Sequence, residues 1–211
     1  MVFVSPVFIF IFLPLTLLCY AAAEFTRKKW IKNFTLLLFF LIFYAWGGMS
    51  YLLLLMLSIV VNYFFGRLLE RGKKRKNILI LSIIYNVGIL FVFKYFNFFM
   101  DSIRGAAGLM HMDFALVVPA ITLPIGISFF TFQIMSYIFD VYLEKVEVQK
   151  NILDLALYIM LFPQLIAGPI VRYIDVNREI KQRHTSLEMV HDGLIRFMIG
   201  FNKKILLANG M

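Results

Sequence analysis

The strongest constraint on this chain is the length of its uncharged stretches. No charged residue occurs between Val2 and Ala23, or from Asn33 to Gly66, and Ile78 to Met100 carries only Lys94. A bilayer core of about 30 Å takes about 20 helical residues, so runs of this size read as membrane spans. Composition agrees. Of 211 residues, 62% are hydrophobic and 16% charged, with 24 Phe. A soluble domain runs nearer half apolar and a quarter charged, and at this length its core has no room for the excess. Disorder needs the opposite composition. The fold class expected is therefore an all-α polytopic membrane protein, a multi-helix transmembrane bundle. Neither a repeat of fixed period nor a low-complexity linker divides residues 1–211 into two domains.

The formal net charge is +9 and the pI about 9.7. Nucleic acid is not the partner this implies, because Lys and Arg cluster in short loops between apolar runs, the distribution that orients a polytopic protein in the bilayer. The single Cys, Cys19, lies inside an apolar run, which excludes an intrachain disulfide and makes a zinc cluster unsupported. The first run ends in Ala21-Ala22-Ala23, which resembles a signal-peptidase site. It is long for such a leader, however, and no basic residue precedes it, so it reads as a retained span.

As one helix, Asn33 to Gly66 would reach about 50 Å, too long for a bilayer. Gly47-Gly48 lies near its centre, behind the interfacial aromatics Tyr44 and Trp46. Two spans, 31–46 and 49–66, joined by a tight turn are expected. The loop before them carries Arg27, Lys28, Lys29 and Lys32 against Glu24. The loop after carries Arg67, Arg71, Lys73, Lys74, Arg75 and Lys76 against Glu70. A hairpin leaves both basic loops on the cytoplasmic side, as the positive-inside rule requires, and the N-terminus outside. Residues 78–100 then span outward, with Lys94 snorkelling near the far interface. Residues 101–118 read as an outer loop of low positive charge, and Ile121 to Leu143 as the inward span.

Residues 152–170 are apolar enough to enter the bilayer, but Pro163, Gly168 and Pro169 interrupt them. Irregular backbone at membrane depth is tolerated only when covered by protein or lining a wet cavity. Basic residues on the far side, Arg172, Arg178, Lys181 and Arg183, put both ends on the cytoplasmic side and favour a re-entrant hairpin; a broken crossing span is the alternative. Leu187 to Asn209 reads as a further helix. Arg196, Lys203 and Lys204 make it a poor lipid-facing span, so packing within the protein or lying at the interface is expected.

Two groups of polar residues need a reason. Gln133, Tyr137 and Asp140 fall at i, i+4 and i+7, on one helical face. Facing lipid they would cost free energy, so the face points to other helices or to water: interhelical hydrogen bonding and the lining of a path both satisfy it. At the second, the Pro169 break exposes unpaired backbone groups beside Arg172. Arg172 is placed either to bind an anionic group such as a phosphate or carboxylate, or to anchor the segment to headgroups. The three histidines, His111, His184 and His191, lie outside the apolar runs without the i, i+4 spacing of a helical metal site, and read as loop or surface residues. No metal site is expected, and no Gly-rich phosphate loop, HExxH or GxSxG occurs.

Leu123-Pro124-Ile125-Gly126-Ile127-Ser128-Phe129-Phe130-Thr131-Phe132-Gln133, continuing through Ser136-Tyr137 to Asp140-Val141-Tyr142, resembles the signature of the membrane-bound O-acyltransferase family. The bacterial branch that includes alginate O-acetylases and the D-alanyl transfer protein of teichoic acids is the most similar. Phe162-Pro163-Gln164-Leu165-Ile166-Ala167-Gly168-Pro169-Ile170-Val171-Arg172-Tyr173 is similar to that branch's second block. A weaker match is Gly193, Arg196-Phe197, Gly200 and Lys203-Lys204. The resemblance runs through essentially the whole chain, but members are about twice this size, which implies that residues 1–211 are the N-terminal part of a single, incomplete acyltransferase domain.

The resemblance implies an enzyme of a bacterial cytoplasmic (inner) membrane. Such an enzyme moves an acyl group, usually acetyl, from a cytoplasmic thioester donor (acetyl-CoA or an acyl carrier) to hydroxyls of an exported polysaccharide such as alginate. No bound cofactor is implied; the thioester is a substrate. The implied partners are the lipid bilayer, the polysaccharide acceptor and extracytoplasmic acetylation proteins. The family's catalytic histidine lies in a later apolar segment, so none of the three histidines here takes that role and the chain alone is expected to be inactive. Gln133, Tyr137, Asp140, Pro169 and Arg172 are the expected cavity-shaping and donor-holding residues. A transporter or flippase-like protein, or a scaffolding subunit of an export complex, would use the same broken helices differently.

Overall fold

The computed structural model describes residues 5–26, 28–72, 74–109, 122–124, 126–161, 171–181, 183 and 185–208. Among these the architecture is helical without strands. A π-helical turn, Phe8–Phe12, leads into α1, Leu13–Phe25; then come α2, Lys29–Ala45, and α3, Met49–Arg71. The remainder are α4, Arg75–Leu109, α5, Ile127–Tyr142, α6, Ile152–Ile159, α7, Tyr173–Lys181, and α8, Leu187–Lys203, which ends in a second π-helical turn, Lys204–Ala208. Among the described residues, three segments are long and apolar enough to cross a membrane: Phe8–Phe25, Met49–Glu70 and Arg75–Gly105. This is an all-α membrane protein.

The expected hairpin is present. Helix α2 closes where Trp46 N–H bonds the Ile42 carbonyl at 3.1 Å and Gly47 N–H bonds that of Tyr44 at 2.9 Å. Gly48 then takes φ +135°, backbone open to glycine at little cost, and α3 returns alongside α2. Against this hairpin the π-helical turn before α1 packs aromatic rings edge-on, Phe12 with Phe39 at 5.7 Å and Phe8 with Phe43 at 6.0 Å between centroids. Helix α4 packs on α3 and α5. Its outer face stays uncovered, with Phe98 72% exposed, the arrangement expected where lipid rather than protein covers apolar surface.

Inside the bundle sits α6. Leu155 through Met160 are consecutively buried, and the helix touches α2, α3, α5 and α7. Asn151 caps it, its side-chain oxygen accepting from Leu153 N–H at 3.0 Å. Asn33 of α2 donates to Asp154 at 3.2 Å. Helices α3 and α4 are joined by a buried amide pair: Asn86 donates to Asn62 at 2.7 Å and Asn62 donates back at 3.1 Å. Each also donates to the carbonyl one turn before it, Ser82 and Ser58 respectively.

Two expectations need correction. Residues 101–109 continue α4 as helix instead of opening an outer loop; Ser102 bonding back to the Phe98 carbonyl at 2.8 Å is part of that continuation. The inward span forms helix only from Ile127, because Pro124 and the left-handed Gly126 (φ +75°) make a turn that the Ile127 N–H closes on the Pro124 carbonyl at 3.3 Å. Of the two placements expected for the last helix, packing within the protein is not the one found: no described residue of α8 is buried.

Candidate functional site

Gln133, Tyr137 and Asp140 do share one face of α5, and that face turns inward: they are 3%, 0% and 9% exposed. Gln133 Nε2 donates to the Tyr158 carbonyl of α6 at 2.8 Å. Tyr137 Oη accepts the Gln149 N–H at 3.1 Å. Both are therefore spent on contacts between elements, the interhelical alternative left open by spacing. Asp140 differs. Its Oδ2 is buried without a hydrogen-bond partner, leaving one acceptor in the group uncommitted.

A cluster of tyrosines surrounds them. Tyr137 and Tyr158 each meet Tyr173 edge-on, at 4.9 and 5.1 Å between centroids, the geometry favoured by ring quadrupoles. Gln149 Nε2 donates to Tyr173 Oη at 2.9 Å, and Tyr173 Oη in turn donates to Asn177 Oδ1 at 3.0 Å. Burial pushes the Tyr173 phenol above the usual tyrosine range, so it stays protonated and keeps both bonds. Gly66 of α3 lets the cluster close: a Cβ there would lie 2.8 Å from Tyr137 Oη.

These contacts tie together the flanks of the Pro/Gly-interrupted segment. Tyr158 Oη donates to the Val171 carbonyl at 3.0 Å, and Leu161 and Val171 border one cavity of about 470 Å³. A full bilayer crossing between them would part the flanks by about 30 Å. The far flank also sits level with the loop after α5, since Tyr173 reaches Gln149 there. Pro169, with the rest of 162–170, lies outside the described residues. Arg172 is exposed at the start of α7, apart from the inward face of α5.

Arg75, the first residue of α4, fixes the end of α5. Its guanidinium donates to the carbonyls of Val141 and Tyr142 at 3.2 and 2.8 Å and pairs with Glu144. It also lies over the Tyr142 ring at 5.7 Å. A cation at a helix C-terminus meets both the unpaired carbonyls and the negative end of the dipole.

Tyr158, Gln149 and Asn177 were not singled out in the sequence; Arg75 entered only as a basic-loop charge and Tyr173 only as the end of the second block. Gln149 stands in a locally polar stretch, Glu147-Val148-Gln149-Lys150, and Tyr158 in an apolar one, so neither carries a local signal of its distant partner. His191 is 72% exposed at its side chain, beside Asp192, as a surface histidine should be; His111 and His184 lie outside the described residues. Among the described residues no three His, Cys, Asp or Glu side chains gather as a metal site would require.

Fold and site together define a multi-helix membrane protein with a buried polar knot joining α5, α6, α7 and the loop at Gln149. The chain is 38% identical over 213 residues to a probable alginate O-acetylase AlgI of Pseudomonas syringae, covering 99% of this chain and 40% of that protein. Identity to the Pseudomonas aeruginosa protein of the same name is 38% over 214 residues, with the same coverage. A peptidoglycan O-acetyltransferase of Helicobacter pylori is 31% identical over 240 residues, 99% of this chain and 45% of that protein. The chain thus spans about 40% of the length of the alginate relatives. No family model and no solved structure matches it. Over the stretch it covers, the chain is similar to proteins named for O-acetylation of alginate and of peptidoglycan.

Proposed function

We propose that this chain forms part of an O-acetyltransferase that acetylates hydroxyls of an exported polysaccharide, alginate or a related polymer, from a bacterial inner membrane. What carries the reading is similarity across 99% of the chain to proteins named for acetylating two different glycans. The basic loops 27–32 and 71–76 face the cytoplasm, the side from which an acyl-thioester donor arrives. Extracytoplasmic partner proteins take up the acetyl group or present the polymer, and the general base for the acceptor hydroxyl comes from a residue other than the three histidines here.

Within that scheme Asp140 offers its unpaired oxygen to an N–H or O–H of the substrate. Arg172 offers an exposed cation to the donor's phosphate or carboxylate. Gln133 and Tyr137 act one step away, holding α6 and the 149 loop where the interrupted segment begins. In this assignment Gln133 is a positioning residue and Pro169 shapes the break.

The test is a chimera in which this chain replaces the matching stretch of a Pseudomonas alginate O-acetylase. Acetylated alginate should appear in a strain lacking the native enzyme. Changing Asp140→Ala or Arg172→Ala in that chimera should lower acetylation about tenfold, the loss of one charge-assisted contact, with membrane insertion unchanged. Full acetylation in both variants would remove these residues from the site; an inserted but inactive chimera would count against the function itself.

A further inference from the structure

Two largely apolar grooves run along α1 and meet at Tyr20, the residue that holds Arg183. One, about 700 Å³, lies between α1 and the start of α8, with Leu18, Phe25, Val190 and Leu194 in its walls. The other, about 470 Å³, lies between α1 and α7, walled by Leu36, Leu157, Val176 and Ile180. Leu17, Tyr20 and Thr185 border both. Arg183 is held at this junction by Tyr20: Nη1 donates to Tyr20 Oη at 3.2 Å, and the guanidinium lies over the ring at 5.7 Å. That uses one of its five donors, leaving a flat, oriented fork of the kind that recognises phosphate.

The junction carries the opposite charge as well. Asp175 and Glu179 border the same groove as Arg183. Among the described residues neither is paired with it or with another cation. A purely anionic headgroup would meet two carboxylates there; a zwitterionic one satisfies both signs. Depth fits too. Residues Leu17 to Phe25 form the end of a candidate span that runs on to the exposed Lys28 and Lys29, the level at which headgroups sit.

We propose that this junction binds one bilayer phospholipid with a primary-amine headgroup. Its phosphate sits on Arg183, its ammonium faces Asp175 and Glu179, and its two acyl chains occupy the two grooves. The lipid fills the space between α1 and the otherwise unpacked α8 and seats that helix against the bundle. The site is separate from the Asp140 group and does not depend on the acetyl-transfer reading.

Native mass spectrometry of the delipidated full chain, offered equal phosphatidylethanolamine, phosphatidylglycerol and phosphatidylcholine, tests it. Phosphatidylethanolamine should be retained over both others. Arg183→Gln should lower that retention about tenfold, the loss of a charge-assisted contact, and Glu179→Gln should erase the preference over phosphatidylglycerol. Leu194→Trp, which fills one groove away from the charges, should lower retention of all three lipids and carries the test if Arg183→Gln does not fold. Equal retention of the three lipids by the unchanged chain would overturn the proposal. So would undiminished retention in a folded Arg183→Gln or Leu194→Trp variant, or displacement of the lipid by inorganic phosphate alone.

Discussion

Gly66 is where a single atom decides whether the site closes. Adding a methyl puts a Cβ 2.8 Å from Tyr137 Oη, so Gly66→Ala must push Tyr137 off the Gln149 N–H. Thermal unfolding in detergent should register a loss of about 1–3 kcal/mol, the usual cost of overpacking, and Gly66→Ala combined with Tyr137→Phe should recover part of it. Asn62 and Asn86 make a second residue-scale test. Asn86→Ala should cost about 1–2 kcal/mol, the range for interhelical hydrogen bonds at membrane depth. Adding Asn62→Ala should cost little more, because it removes the amide stranded by the first change; additive losses in that cycle would mean the two residues do not form a pair. The inward turn of Gln133, Tyr137 and Asp140 was legible from their i, i+4, i+7 spacing. Their partners were not. Gln149 is buried by Tyr137 and Tyr173, 12 and 24 residues away, and nothing in a local polar stretch announces such a pairing.

Among the elements, the α2–α3 hairpin was readable because two signals agreed: a glycine pair at the midpoint of an overlong apolar run, and basic loops on both sides. Helix α4 was readable as a span but not in its length. Past Met100 the residues Asp101-Ser102-Ile103-Arg104 turn polar, which ends a span without ending a helix, and Arg104 lies within ion-pair reach of Asp101 at 3.6 Å on the same helix. The start of α5 was misjudged because apolar composition continues through the Pro124–Gly126 turn, where backbone geometry rather than hydropathy breaks the helix. The far end of α5 depends on a residue from another helix. Arg75→Ala removes donors from the Val141 and Tyr142 carbonyls, and because that side chain is one-third exposed the loss should be about 1–2 kcal/mol. Arg75→Lys should restore only part, since an ammonium cannot reproduce the fork. Equal melting temperatures for all three proteins would show that the end of α5 is held some other way.

For the whole molecule, the decisive feature is that the chain leaves α6 and re-enters α7 at one level. Tyr158 bonds Val171, Tyr173 bonds Gln149, and Tyr137 bonds the backbone of Gln149, so the loop after α5 and the start of α7 share one end of the bundle. Charge placement around 152–170 pointed to a shared level for its two flanks, and the described flanks do meet, Tyr158 bonding Val171. Cysteine labelling on a Cys19→Ala background tests this most directly, with single cysteines at the exposed positions Lys150 and Arg172 and a membrane-impermeant reagent applied to vesicles of known orientation. Both positions should react from the same side; labelling of 150 and 172 from opposite sides would contradict the shared level of the two flanks.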